Sequence, residues 1–390
     1  MISLHEPEFD ASDESFVLET LRTAWVSTAG PFVDRFEKEF ADFVGMRHAI
    51  SVCNGTLGLQ LAIEVLRRLR GVSEQFDVIV PTLTFIATAN AVVHAGGYPV
   101  FVDAAADSMN MSPHATRALV ERHYSYRKDR QAWFSRATGR RLLAVMPAHL
   151  MGWTCDMDAM RSNCEGLDLP LLEDAAEALG CYAPDGNHVG HHGIASVFSF
   201  NGNKVLTTGG GGMVVTDNDA FAKRARHLST TAKTDGLRFA HDEVGYNFRL
   251  VNVLSALGCS QMKQLPARLT RKQAIVALYR DGLGVRPDIR LYSEGTGRSN
   301  NWLVNAVFPD EHRREAALSA LLEKDIQARP LWTPNHLQRA YASYDQPCSE
   351  FPNATDIWAR CLSLPSSPQL ADGTIAEICS TICASQGTGA

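Results

Sequence analysis

The sequence predicts an α/β fold, with a mainly parallel sheet between two layers of helices. Three observations predict it. Short β-branched runs alternate with longer amphipathic stretches from residue 48 to residue 228, the rhythm of strand–helix–strand crossovers. Several of those runs end in small or polar residues, and ligands of open α/β sheets sit outside the carboxyl ends of strands. The chain has 390 residues, of which 45% are hydrophobic and 21% charged. That is enough apolar material for two or three packed domains.

Taken in order, residues 12–23 read as a helix and residues 25–30 as a loop. Pro31 opens the next helix at a position that suits proline. Phe32, Phe36, Phe40 and Phe43 recur at helical spacing, so that helix buries an aromatic stripe. Residues 49–53 read as a strand and 56–69 as the helix it feeds. Residues 77–81 form the next strand, with Thr82-Leu83-Thr84-Phe85 at its carboxyl end before a helix at 87–95. Strands follow at 99–103 and 142–147. Between them, residues 121–141 mix seven basic residues with Tyr124, Tyr126, Trp133 and Phe134. Such interleaving can mark nucleic-acid binding. The net charge of 37 − 43 = −6 opposes that. The stretch is expected to be an excursion from the sheet, solvated or packed on a neighbouring subunit. Helices are expected at 221–228 and 252–265, and Pro266 marks the expected boundary with a smaller domain. Beyond it, 302–308 reads as a strand and 313–324 as a helix. The expected division is a large domain over 12–265 and a small one over 266–390, with residues 1–11 packing on the small one.

The chemistry gathers around residues 194–216. A β-rich run carrying Val197, Phe198 and Phe200 leads into the turn Asn201-Gly202-Asn203, and Lys204 follows directly. A lysine alone is usually a solvated surface residue. Three features change that reading. The apolar strand ending at residue 174 puts Asp174 at a strand carboxyl end. The run Cys53-Asn54-Gly55-Thr56 ends one strand and opens a helix, an anion cup of small residues and N–H groups. The Ser199 hydroxyl, five residues before Lys204, could reach the same anion. A lysine that bonds to the cofactor aldehyde, with a carboxylate on the protonated ring nitrogen, is the arrangement used by pyridoxal 5′-phosphate (PLP) enzymes.

The segments E-D-A-A-E-A-L-G, S-F-N-G-N-K and G-Y-N-F-R-L resemble those of the DegT/DnrJ/EryC1/StrS sugar aminotransferases, PLP enzymes of fold type I. The resemblance runs from Trp25 to about His336. It implies a large domain with a mainly parallel seven-stranded sheet and a smaller α+β C-terminal domain. It implies that Lys204 carries PLP, that Asp174 pairs with the ring nitrogen, and that Gly55, Thr56 and Ser199 hold the phosphate. Phe85 is placed to stack on the cofactor ring. Asn247 is placed to reach the phosphate of the other subunit in a homodimer or larger assembly. Family members often have Gln or His near the cofactor's O3′, and Glu177 departs from that. Trp25 and Ser27 lie in the family's substrate-side loop, and Arg329 in its late R-P-x-W…H segment. His149 lies in a loop near the active site and is a candidate substrate contact, without a catalytic role. Some members have His in place of the lysine and act as dehydratases; Lys204 argues against that.

The spelling around Lys204 and the 121–141 stretch resemble the legionaminic-acid branch. The implied reaction moves an amine from glutamate to C4 of a nucleotide-linked 4-keto-6-deoxy sugar, a UDP-linked N-acetylhexosamine derivative, for bacterial surface-glycan or nonulosonic-acid synthesis. The alternatives are a dTDP-linked 3-keto or GDP-linked 4-keto substrate, or a non-enzymatic PLP-binding regulator. The Gly209–Gly212 run lacks the G-K-S/T ending of a nucleotide-binding loop. Nine scattered cysteines contain no C-x-x-C pair, so free thiols are expected rather than a metal site or disulfides. No signal peptide and no apolar run of about 20 residues is present. The expectation is a cytoplasmic enzyme with no nucleic-acid or membrane partner.

Overall fold

The computed structural model describes residues 1–106, 108–293 and 297–386. Helices α1 (Ala11–Arg22) and α2 (Pro31–Val44) precede strand β1 (His48–Val52). Then come α3 (Gly55–Leu69), β2 (Phe76–Pro81), α4 (Ala87–His94) and β3 (Tyr98–Val102). Helix α5 (Pro113–His123) leads into the hairpin β4 (Tyr124–Arg127) and β5 (Ala132–Ser135), then β6 (Arg141–Val145). Next are α6 (Met157–Gly166), β7 (Leu172–Asp174), β8 (Ala195–Ser199), β9 (Gly212–Thr216) and α7 (Asp219–Ser229). A short hairpin, β10 (Lys233–Asp235) and β11 (Ala240–His241), precedes the long α8 (Asn252–Leu283). The chain closes with β12 (Arg290–Leu291), β13 (Val304–Val307), α9 (Glu311–Leu322), β14 (Arg329–Pro330), α10 (Pro352–Arg360), β15 (Cys361–Leu364) and α11 (Asp372–Ser385).

The main sheet runs β3-β2-β6-β7-β8-β9-β1. Its two ladders meet where Val145 pairs with Leu171, and where the Asp174 N–H donates to the Pro147 carbonyl and the His149 N–H to the Asp174 carbonyl. Six strands are parallel; β9 runs antiparallel to both its neighbours. This is the expected seven-stranded, mainly parallel sheet. Every residue of β2 is buried, because helices cover both faces of a parallel sheet. On α2, Phe32, Phe36 and Phe40 are buried as the spacing predicts, and the Phe36 and Phe40 rings lie against Phe200. The sheet therefore braces the chain on either side of Lys204 from behind.

The 121–141 stretch forms the β4–β5 hairpin, and Phe134 pairs with Arg141 at the start of β6. Part of its basic charge is taken up by its own chain, while Arg122, Lys128 and Arg136 stand exposed. Arg140 pairs with the buried Asp77, which also accepts from the Tyr124 hydroxyl at 2.8 Å. Arg130 meets Glu74 at 2.9 Å, and the Arg127 guanidinium lies 4.4 Å from the Phe134 ring centre. The stretch is thus an excursion from the sheet, with Tyr124, Ala132 and Phe134 buried at its inner side and residues 126–131 exposed.

The expected helix end at residue 265 is not observed. Pro266 lies inside α8, which continues to Leu283. An interior proline removes one hydrogen bond. Here helix packing outweighs that local cost, since α8 lies against α1, α2 and α11. Leu265 belongs to the core around the main sheet, whereas Ile275, Tyr279 and Leu283 belong to a second core. That second core packs a four-stranded antiparallel sheet, β12-β13-β15-β14. The first residues of the chain join it: Ile2 bridges Ile326, and the Leu4 carbonyl accepts from the Ser366 N–H at 2.8 Å.

Candidate active site

A cavity of about 380 Å³ opens at the carboxyl ends of β2, β6, β7 and β8, a size suited to a cofactor and part of a substrate. Lys204 lies on its wall. The backbone turn that presents it closes by a 2.9 Å bond from the Lys204 N–H to the Asn201 carbonyl. Its side chain is only 13% exposed, and the amine sits 3.4 Å from a Glu177 oxygen. The amine also lies 3.6 Å from the centre of the Trp302 ring. Burial lowers the Lys204 pKa; Glu177 and Asp174 partly oppose that shift. The same burial raises the Glu177 and Asp174 carboxyls, and the Lys204 amine acts against it in both. Three ionisable groups are thus held close together with little water to screen them.

Each group is positioned by a different local device. Asp174 ends β7 and accepts the Thr88 hydroxyl at 2.7 Å on one oxygen and the Ala176 N–H at 3.1 Å on the other. Glu177 accepts the Met151 N–H at 2.8 Å, and Met151 adopts φ 55° to offer it. Glu173, the neighbour of Asp174, points into the opposite layer, as alternation along a strand requires. There it accepts from the N–H groups of Gly190, His192 and Gly193, the Ser196 hydroxyl and the His149 ring. Burial alone would raise this carboxyl, but those partners outweigh it and hold its pKa at about 2. The His149 Nδ1 accepts the Cys155 N–H at 3.1 Å, which leaves Nε2 to donate to Glu173. His149 also borders the cavity.

The anion cup forms as the sequence predicts. Asn54 caps α3 by accepting the Leu57 N–H at 2.9 Å, and Gly55, Thr56 and Ser199 line the cavity beside it. A methyl group added to Gly55 would stand 3.0 Å from the Ser199 Cβ. Only a small residue lets helix start and strand end approach this closely. The donor set fits PLP: an amine to bond its aldehyde, a carboxylate for its ring nitrogen, and a helix N-terminus with two hydroxyls for its phosphate.

The far wall comes from the C-terminal part of the chain. Trp302 donates its Nε1–H to the Asn203 carbonyl at 2.6 Å, which ties this wall to the Lys204 turn. Trp332 stacks beside Trp302 at 6.3 Å and meets Phe85 at 5.7 Å. Phe85 and Arg329 line the cavity, as expected for a site role. Trp302, Thr84 and Thr88 were not singled out in the sequence, whereas Trp332 is the tryptophan of the R-P-x-W…H segment. For the threonines the available signal was their four-residue spacing.

Three expected site residues lie outside this cavity. Trp25 is 52% exposed, and Ser27 and Asn247 are exposed as well. The 25–32 loop is held from below by Asn252. Its backbone N–H donates to the Ser27 carbonyl, its side-chain amide donates to the Trp25 carbonyl, and its side-chain oxygen accepts from the Phe32 N–H. Gly30, with φ 149°, is required there because a Cβ would stand 2.3 Å from the Asn252 side chain.

The chain is 33% identical over 385 residues to the GDP-perosamine synthase of Vibrio cholerae, covering 98% of both chains. Its fold superposes on DesI, solved in the presence of its TDP-sugar product, with TM-score 0.84 and 28% identity over 99% of this chain and 93% of that one. It also matches the fold of Helicobacter pylori PseC, an aminotransferase of pseudoaminic acid biosynthesis, with TM-score 0.88 and 23% identity over 98% of each. Residues 7–383 match the DegT/DnrJ/EryC1/StrS aminotransferase family. With that match, and with a cavity built for pyridoxal phosphate, the chain belongs to this family of PLP-dependent sugar aminotransferases.

Proposed function

We propose that this enzyme moves an amine from glutamate to C4 of a nucleotide-linked 4-keto-6-deoxy sugar, with PLP carried by Lys204. The observation that carries the reading is the meeting of the Lys204 amine and the Asp174 carboxylate in one cavity beside the α3 N-terminus. Bound there, PLP supplies an electron sink for the donor's α-carbon. Lys204 is the base. Its lowered pKa lets Nζ give up a proton and take one from carbon, and Glu177, 3.4 Å away, stabilises the charged form in between. Asp174 keeps the ring nitrogen protonated. Gly55, Thr56 and Ser199 would hold its phosphate, and Phe85 would lie against its ring. Trp302 and Trp332 wall off water, and Arg329 is placed for an anionic part of the substrate.

Two nucleotides compete. The resemblance of the Lys204 region to the legionaminic-acid branch favours a UDP-linked N-acetylhexosamine. The 33% identity to a GDP-perosamine synthase over nearly the whole chain supports the GDP-linked 4-keto alternative. Arg130 and Arg140 of the 121–141 stretch are engaged within the chain, which weakens the hairpin as support for the UDP reading. We therefore place the GDP-linked 4-keto sugar first. The test supplies PLP-loaded enzyme and glutamate with each keto-sugar nucleotide separately, and reads product mass and amine position by NMR. Faster turnover of the UDP-linked sugar would reverse the nucleotide order. Turnover of free keto acids alone would remove the sugar reading.

A homodimer is proposed to complete the site. Asn247, Trp25 and Ser27 stand outside their own cavity, and nearby Leu237, Phe239 and Val244 are 86%, 71% and 83% exposed. A partner would cover such apolar side chains. Mixing inactive Lys204→Ala and Asn247→Ala subunits should restore activity in hybrids with one intact site. No rescue after confirmed subunit exchange would mean that Asn247 does not serve a partner. We place the domain division inside α8, between Leu265 and Ile275. All nine cysteines are unpaired, which supports the cytoplasm as the compartment. Among the described residues, no helix is long and apolar enough to cross a membrane.

A further inference from the structure

Asp174 stands at the end of a short chain of hydroxyls. The Thr88 hydroxyl donates to Asp174 Oδ2 at 2.7 Å, and Thr84 Oγ1 lies 2.9 Å from Thr88 Oγ1. A hydroxyl has one hydrogen to give. That of Thr88 is spent on the carboxylate, so Thr84 must donate to Thr88. The direction of both bonds is therefore fixed, and each polarises the next toward Asp174. All three side chains are buried.

Thr88 lies in the first turn of α4 and Thr84 just before the helix, a region where such residues ordinarily cap. Here they do not: the α4 N-cap is Ile86 and makes no side-chain cap bond. The segment is instead anchored from the C-terminal part of the chain. The Asn335 N–H donates to the Thr82 carbonyl at 2.6 Å, and its side-chain amide donates to the Thr84 carbonyl at 3.2 Å. The hydroxyls are thus held on a braced backbone and aimed at the carboxylate.

A carboxylate in this position has a difficulty to overcome. Burial favours its neutral form, and a neutral acid cannot hold a ring nitrogen protonated. The Lys204 amine favours ionisation of Asp174, whereas Glu177 works against it. Two aligned hydroxyls supply fixed dipoles that do not depend on the protonation of those neighbours.

We propose that Thr84 and Thr88 form a positioning relay that keeps Asp174 ionised and aimed at the PLP ring nitrogen. The inference rests on the ring-nitrogen role given to Asp174 above. Neither threonine touches the reacting atoms in this role; both act through Asp174.

The test uses enzyme loaded with PLP labelled with 15N in the ring, and reads the nitrogen shift against pH beside kcat and KM. Thr88→Val removes the hydroxyl at nearly constant shape. The shift should move toward the unprotonated value, and kcat should fall about ten- to a hundredfold with KM for the sugar nearly unchanged. Thr88→Ser should restore both readings, which a purely structural role would not do for the nitrogen shift. Thr84→Val should move them the same way by less, and it stands in if Thr88→Val does not fold. Asp174→Asn separates the two levels. If it moves the nitrogen shift and neither threonine variant does, the relay is wrong and the Asp174 role stands. If Asp174→Asn also leaves the shift unchanged, both the role and the relay are overturned.

Discussion

Glu173 and Asp174 are neighbours on β7, and the regions they enter are built on opposite principles. Behind the strand, Glu173 meets five donors and is held ionised with a pKa of about 2. In front, among the described residues, Asp174 accepts from Thr88 and Ala176, and burial raises its pKa. The saturated acid ties the 190–193 turn and His149 to the sheet. The undersaturated one keeps capacity for a cation that arrives later. One strand end thus provides both a fastening and a working group, because its residues alternate between layers.

That contrast gives separable expectations. The largest effect is expected in front. Asp174→Asn should lower turnover roughly 10²–10⁴-fold while the melting temperature stays close to wild type. A variant that turned over normally would end the assignment of Asp174. The next effect lies behind. Glu173→Gln places an amide among donors and should cost about 3–5 kcal/mol of stability, seen in a denaturant or thermal melt. Soluble Glu173→Gln enzyme should keep its cofactor better than Asp174→Asn does. Equal loss of stability in the two variants would erase the distinction between the layers.

The smallest effect appears only in acid. The Glu173 pKa is depressed in the folded state, so its contribution is complete above the ordinary carboxylate range and is lost as pH falls toward about 2. The gap in melting temperature between wild type and Glu173→Gln should therefore narrow from about pH 4.5 downward. A gap that stayed constant across that range would show that the bonds to Glu173 do not depend on its charge.

The front of the site was largely legible in the sequence. Lys204, Asp174, Gly55, Thr56 and Ser199 are each marked by a strand end, a turn or a helix start close by in sequence. The structure gathers all five around one cavity. Trp332 lay in the R-P-x-W…H segment, whereas Trp302 was not legible as a wall residue. It reaches the cavity through tertiary packing about a hundred residues after Lys204, and no local pattern marks that. Glu173 read as one of two acids at a strand end; its burial depends on a turn that folds back from residue 190. Pro266 misled because proline's local cost is fixed, whereas the packing that outweighs it comes from three other helices. Within 121–141 the pairing of Arg130 and Arg140 was not legible, because Glu74 and Asp77 lie 56 and 63 residues earlier.

The bonds made by Ile2, Leu4 and Glu6 have a consequence for how the chain is made. Their partners are Ile326, Ser366 and Ser367. At roughly 5–20 residues per second, a ribosome releases the first group tens of seconds before the second. Through that interval the early segment has no native place to go, whereas strands β1 to β9 and their helices can already assemble. The main sheet is therefore expected to begin assembling first, and its core is completed by Trp302, Leu331 and Ile357 from the later chain. Arg329, Trp332 and the strand that ends at Leu364 arrive last, and the N-terminal residues lock in only when they do. A chain cut shortly before residue 326 should for that reason leave residues 2–6 exposed to protease while the region around Lys204 stays protected.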